Sequence, residues 1–89
     1  MSALLVGYDL NKTGQDYSQL IERLKEFPGW CRPVDSTWIV STTSTVKDVR
    51  DDLMKYIDSN DDLIVVGLSG NWATYGLSPT VNEWLENNV

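Results

Sequence analysis

Apolar positions in this chain recur at two spacings, and the change from one to the other marks the boundaries of its elements. Ala3-Leu4-Leu5-Val6-Gly7-Tyr8 is a near-continuous apolar run ended by Asp9. That is the pattern of a central strand buried on both faces. Asn11-Lys12-Thr13-Gly14 supplies turn chemistry, after which Tyr17, Leu20, Ile21, Leu24 and Phe27 recur at helical spacing up to Pro28-Gly29. Trp30 to Val34 follows as a second strand, held to an edge position because Pro33 has no N–H to give to a ladder. Asp35-Ser36 makes a turn, and the β-branched and aromatic run Thr37-Trp38-Ile39-Val40-Ser41-Thr42 is the hairpin partner. Thr45 is an N-cap with Asp48 three residues on, and Val46, Val49, Leu53, Tyr56 and Ile57 form one face of a second helix. Ser59-Asn60-Asp61 breaks it, and Leu63 to Leu68 is a buried strand by composition and length. Beyond Gly70-Asn71-Trp72, Ser78 and Pro79 place an N-cap and a first-turn proline ahead of Val81, Trp84 and Leu85, which predicts a short closing helix.

The resulting order is βαββαβ, so the expected fold is an α+β, ferredoxin-like antiparallel sheet with a short additional C-terminal helix. Eighty-nine residues leave room for one core, so residues 1–89 are expected to form a single domain. Right-handed crossovers would run the first and second strands one way and the third and fourth the other. One pole would then collect Tyr8 and Asp9, the start of the first helix at Gln15 and Asp16, the turn at Asp35 and Ser36, and Asp61 and Asp62. Trp30, Thr42 and Trp72 would fall at the opposite pole. The first and fourth strands read as apolar on both faces, so something must cover the face that two helices leave bare. The closing helix with Trp84 could cover part of it, and a symmetric dimer the rest.

Charge and composition narrow the chemistry. Thirteen acidic residues against seven basic ones give a net charge of −6, a field that repels phosphate and anionic membranes, so strong non-specific nucleic-acid binding is not expected. There is no histidine, which excludes Ser-His and Cys-His nucleophile pairs, imidazole acid–base groups and most zinc sites. Any chemistry must use carboxylates, hydroxyls or a hard metal. The one cysteine, Cys31, lies beside Trp30 and reads as a structural thiol in a reducing compartment. Ser2–Val6 is too short and too quickly interrupted for a signal peptide, and no other run could span a bilayer, so a cytoplasmic protein is expected.

Clustered carboxylates at one pole can bind a hard cation such as Mg²⁺ or raise one another's pKa. Aspartate and asparagine also favour turns and helix starts for backbone reasons, and every acid of this pole occupies such a position, so a structural role comes first. Trp72, Tyr75 and Gly76 could form an aromatic platform for a ligand. Anchoring the last helix in the interior is the plainer role, since four tryptophans in so small a chain should mostly build its core.

At Tyr8-Asp9-Leu10-Asn11-Lys12, Asp35-Ser36-Thr37-Trp38, Gly70-Asn71-Trp72 and Gly76-Leu77-Ser78 the chain resembles small proteins of the SinR-like group. These in turn resemble the small CRISPR-associated ferredoxin-like nuclease family and the VapD toxins. In the CRISPR-associated family a Tyr-Asp pair ends the first strand, and the aspartates of two subunits are implicated in holding a divalent metal. The resemblance therefore implies a homodimer, with Asp9 as catalytic residue and metal ligand and Ser36 near it. Its departure is in charge: Lys12, Arg32 and Arg50 do not make a basic stripe for a nucleic-acid backbone.

Three functions are consistent with these residues. The first is a non-catalytic homodimeric interaction or regulatory module, of the kind linked to nucleic-acid or defence systems, whose acidic surface meets a basic protein partner; it requires no cofactor. The second is a Mg²⁺-dependent nuclease using Asp9. The third is a small-ligand binder, in which either the loop after Tyr8, with Asn11 and the polar Asp35 and Ser36 of the same pole, or the segment of Trp72 and Tyr75 lines a pocket.

Overall fold

A computed structural model describes residues 1–11 and 17–89 of the chain. The elements are β1 (Ser2–Asp9), α1 (Ser18–Leu24), β2 (Gly29–Val34), β3 (Thr37–Thr42), α2 (Val46–Leu53), β4 (Asp62–Gly67) and α3 (Pro79–Asn88), with a single 3₁₀ turn (Met54–Tyr56) extending α2. The four strands form one antiparallel sheet in the order β2-β3-β1-β4. The architecture is thus a small α+β fold with a four-stranded antiparallel sheet and three helices. The expected start of the first helix at Gln15 and Asp16 lies outside the described residues.

Period-two alternation in β1 and β3 divides the core into two layers. Leu4 and Val6 of β1 and Trp38 and Val40 of β3 point to one face, where they meet Leu20 and Leu24 of α1, Phe27, and Val49 and Leu53 of α2. Trp38, Leu20, Leu24, Leu53, Val6 and Val40 are fully enclosed. A buried side chain of this size contributes several kcal/mol; truncating such a tryptophan to alanine typically costs about 3–5 kcal/mol. Arg23 of α1 ties the two helices together across this layer. Its Nε and Nη2 reach Asp52 Oδ2 at 2.8 and 2.6 Å, and that hydrogen bond holds the guanidinium above its usual pKa.

Ala3, Ile39 and Cys31 occupy the opposite face, where Leu85 of α3 buries them. The caps of α2 and α3 form as the sequence requires: Thr45 Oγ1 accepts from Asp48 N at 3.1 Å, and Ser78 Oγ accepts from Val81 N at 3.2 Å, with Pro79 in the first turn. Gly29 lets β2 lie close against β3, because a Cβ there would stand 3.1 Å from Ser41 Cβ, while the Trp84 ring of α3 lies at ordinary contact distance. α3 covers Ala3, Cys31 and Ile39 and leaves Ile64 and Val66 of β4 exposed.

Four expectations are corrected. β4 is an edge strand and not a buried one: Ile64 is 58% exposed and Val66 40%, while Leu63 and Val65 are half-buried against the helical layer. Edge placement gives it one ladder neighbour and only one covered face. Val46 lies on the solvent side of α2, and the helix ends at Leu53, with Tyr56 in the 3₁₀ turn. Trp72 does not stand at the pole of Trp30 and Thr42. It lines a cavity on the second face together with Pro33 and Thr37, because the segment after β4 folds back over the sheet. Trp38 alone of the four tryptophans is fully buried, and Tyr75, at 99% exposure, anchors nothing.

Burial raises the Cys31 thiol from its ordinary value of 9.0 to about 11, since a thiolate would lose its hydration there. The neutral thiol is thus favoured more in the folded chain than in the unfolded one. Its stabilising contribution is complete below about pH 9 and is lost as pH rises toward 11. Urea denaturation should show the native chain losing stability across this window more steeply than Cys31→Ala, by a total on the order of 2 kcal/mol.

Candidate functional site

The pole at the end of β1 is built by strand pairing. Asp9 and Asp62 are directly opposite one another in the β1–β4 ladder, and Tyr8 N donates to Ser36 O at 3.0 Å, which draws the β2–β3 turn alongside. A concavity of about 330 Å³ results, lined by Tyr8, Asp9, Ser36, Asp62 and the apolar Leu63 and Ile64. Like charges placed opposite each other on a ladder repel. Both carboxylates lie at the solvent-exposed strand end, where water screens them.

Tyr8 serves the fold. Its ring turns toward the helical layer, where its hydroxyl accepts from Trp38 Nε1 at 3.0 Å and donates to Asp35 O at 3.2 Å. Arg32 donates to the same carbonyl from Nε at 3.0 Å and Nη2 at 2.8 Å, and its guanidinium lies 5.1 Å from the centre of the Trp38 ring. Asp35 thus contributes its backbone oxygen to a cationic and aromatic cluster, and the acidic pole contains a basic residue at its edge.

Asn11 and Asp61 form a second cluster. Asp61 Oδ1 accepts from Asn11 N at 2.7 Å and from the Tyr17 hydroxyl at 2.9 Å, and Oδ2 accepts from Asp58 N at 2.7 Å. Asn11 Nδ2 donates to Asn60 O at 2.9 Å. Asp61 accordingly ties the exit of β1, the start of α1 and the turn before β4, and its lone pairs are used in doing so. Its role was hidden in sequence, where it reads as one more turn aspartate; the nearby Asn11 and Tyr17 gave no sign of converging on it from about fifty positions away.

The structure therefore divides the predicted pole. Asp9, Ser36 and Asp62 share the concavity, Asp9 and Ser36 also border a second one with Asp35 and Arg32, and Asp61 is bound up in hydrogen bonds from Asn11, Tyr17 and Asp58. Trp72 and Tyr75 belong to neither group. Among the described residues no cluster of three or more His, Cys, Asp or Glu side chains could hold a metal ion. A Mg²⁺ ion needs only one or two carboxylates when waters and substrate phosphates complete its shell, and Asp9 and Asp62 supply that number. Also among the described residues, no helix is long and apolar enough to cross a membrane. No family model matches the chain, and no solved structure matches it.

Tyr8→Phe tests the structural assignment. It leaves the buried Trp38 N–H without its acceptor and should cost about 1–3 kcal/mol of unfolding free energy, with the Trp38 environment altered in near-ultraviolet circular dichroism. Asp61→Asn should cost a comparable amount, on the order of 2 kcal/mol, because charged acceptors make the stronger hydrogen bonds. A change below about 0.5 kcal/mol in either variant would mean that the cluster does not hold the pole.

Proposed function

We propose that the chain is a non-catalytic interaction module of ferredoxin-like architecture that pairs with a second copy of itself through β4 and leaves its acidic pole for a basic protein partner. The strand order, read as β4-β1-β3-β2 with helices after β1 and β3, supports that architecture. One observation carries the functional reading: the two edges of the sheet differ. β2 is guarded, since it contains Pro33, carries Arg32 and loses regular register against β3 between Cys31 and Val34. β4 has no proline, no basic residue and an unbroken ladder with β1.

The pairing geometry follows from the ladder. Leu68 N donates to Ala3 O, so by alternation Leu63, Val65 and Gly67 turn their N–H and C=O groups away from β1. A second β4 running antiparallel, with Val65 opposite Val65, would satisfy these groups on both chains. Ile64 of one chain would then lie beside Val66 of the other, joining two exposed β-branched pairs into one apolar strip. The same register sets Asp62 opposite Leu68 and keeps the acidic ends of the two copies apart. Such an isologous contact closes on itself and leaves β4 covered. Sedimentation equilibrium should give a dimer for the native chain and a monomer for Val65→Pro and for Ile64→Lys with Val66→Lys. A native monomer at tens of micromolar, or an unchanged mass in both variants, would sink the reading.

The facing pair Asp9 and Asp62 beside Ser36 favours a second reading, a Mg²⁺-dependent nuclease. Asp9 and Asp62 would hold the ion, which would activate water and stabilise charge on phosphate. This chain's own part would be to position the ion at the strand end and to offer the Ser36 hydroxyl to substrate. In that case Mg²⁺ or Mn²⁺ should raise the melting temperature of the native chain by several degrees and leave Asp9→Asn unshifted, and cleavage of a nucleic-acid substrate should be lost with Asp9→Asn. Equal melting temperatures with and without metal in both proteins would leave the interaction module alone.

A further inference from the structure

The segment between β4 and α3 shapes a partly open cavity of about 240 Å³ against the second face of the sheet. Leu5 and Ile39 of the sheet, Leu68, Trp72 and Leu77 of the segment and Leu85 of α3 line it. The segment has no regular secondary structure, yet its course is fixed at three points. Gly70 and Gly76 adopt φ angles of 92° and 78°, which side chains rarely tolerate, and turn the chain out from the sheet and back again. Between them Thr74 Oγ1 donates to Asn82 Oδ1 of α3 at 2.6 Å and clasps the wall to the helix.

Two properties of the lining select what could enter. Among the described residues no Asp, Glu, Lys or Arg side chain lines this cavity. A charged ligand would lose its hydration there with no side chain of opposite charge to receive it, which favours a neutral one. The polar side chains of the lining are few, Thr37, Asn71 and Thr74, and the Asn71 amide can donate or accept a hydrogen bond. Volume sets the size. A dry apolar cavity of about 150 Å³ accepts benzene, whereas drug-sized ligands need roughly 300 Å³ or more. The space suits about six to ten non-hydrogen atoms, and the Trp72 ring in its wall favours a flat one.

We propose that this cavity is a binding site for a neutral planar aromatic molecule of one or two rings bearing a single hydrogen-bonding group, the class of phenol and indole. Thr37 borders both this cavity and the acidic concavity, but Asp9, Ser36 and Asp62 do not line it, nor do Ile64 and Val66. It does not depend on pairing of two chains.

Indole is the probe. In a methyl-detected NMR titration, saturable shifts are expected at Leu5, Ile39, Leu68, Leu77 and Leu85 with half-saturation below about 1 mM, a modest affinity for so few atoms. Val49 and Leu53 lie under the opposite face of the sheet and should stay unshifted. Indole-2-carboxylate, with the same ring and an added charge, should bind at least tenfold more weakly. Ala73→Phe, which places a ring in the mouth, should abolish the shifts, and Leu68→Phe provides an independent filling of the wall should the first variant fold poorly. Ile64→Lys should bind indole as the native chain does, whatever its oligomeric state. Shifts that do not saturate, that spread equally to Val49 and Leu53, or that persist in a folded cavity-filled variant would overturn the proposal, as would loss of binding in folded Ile64→Lys.

Discussion

The indole of Trp38 is the constraint on which the rest of the molecule depends. It is fully buried at the centre of the helical layer, and its N–H must find a partner there. The Tyr8 hydroxyl provides one at 3.0 Å and passes the connection on to the carbonyl of Asp35, which Arg32 also engages from above the Trp38 ring. One hydrogen-bond chain therefore fixes β1 against β3 and the hairpin turn against both. Alternation then decides the next side chain: with Tyr8 turned toward the helices, Asp9 faces the other side of the sheet, where Asp62 stands opposite. The geometry of the acidic concavity is thus a consequence of how a tryptophan is buried.

The same alternation produces an uneven distribution of cover. α1 and α2 seal one face, while the single helix α3 covers only Ala3, Cys31 and Ile39 on the other through Leu85. Ile64 and Val66 consequently remain exposed on β4, at the edge whose outward backbone groups lack the usual deterrents of proline, lysine or a bulge. The facing carboxylates Asp9 and Asp62 lie elsewhere, at the strand ends. Recognition along β4 would accordingly rest on backbone hydrogen bonds and β-branched side chains, and recognition at the pole on charge. The folded-back segment adds a third surface, with Tyr75 exposed outside and Trp72 turned toward the sheet.

Local physics left clear marks in the sequence. All four strands, the edge position of β2, the caps at Thr45 and Ser78 and the proline opening α3 could be read there, because each depends on residues within a few positions of one another. The gathering of Tyr8, Asp9, Ser36, Asp61 and Asp62 at one end also followed from the strand order and connection handedness alone. What could not be read was the division of labour within that group. Asp61 and Asp9 are both aspartates at strand or turn boundaries, and only the convergence of Asn11, Tyr17 and Asp58 on Asp61 separates a hydrogen-bonded tie from an exposed carboxylate.

Composition misled where burial depends on the neighbours a strand acquires. Leu63 to Leu68 is as apolar as β1, yet β1 lies between two strands while β4 has one neighbour and a bare face, so equal sequences of hydrophobic residues meet unequal surroundings. Trp72 and Tyr75 read as core aromatics for the same reason, but two glycines at positive φ carry their segment back over the sheet and leave one ring lining a cavity and the other in solvent. The sequence by itself determined the elements, their caps and the order in which they could pair, since these are set by spacing and backbone preference. The tertiary structure alone decided which apolar residues stay uncovered and which carboxylates are already engaged, because both depend on contacts between segments far apart in the chain.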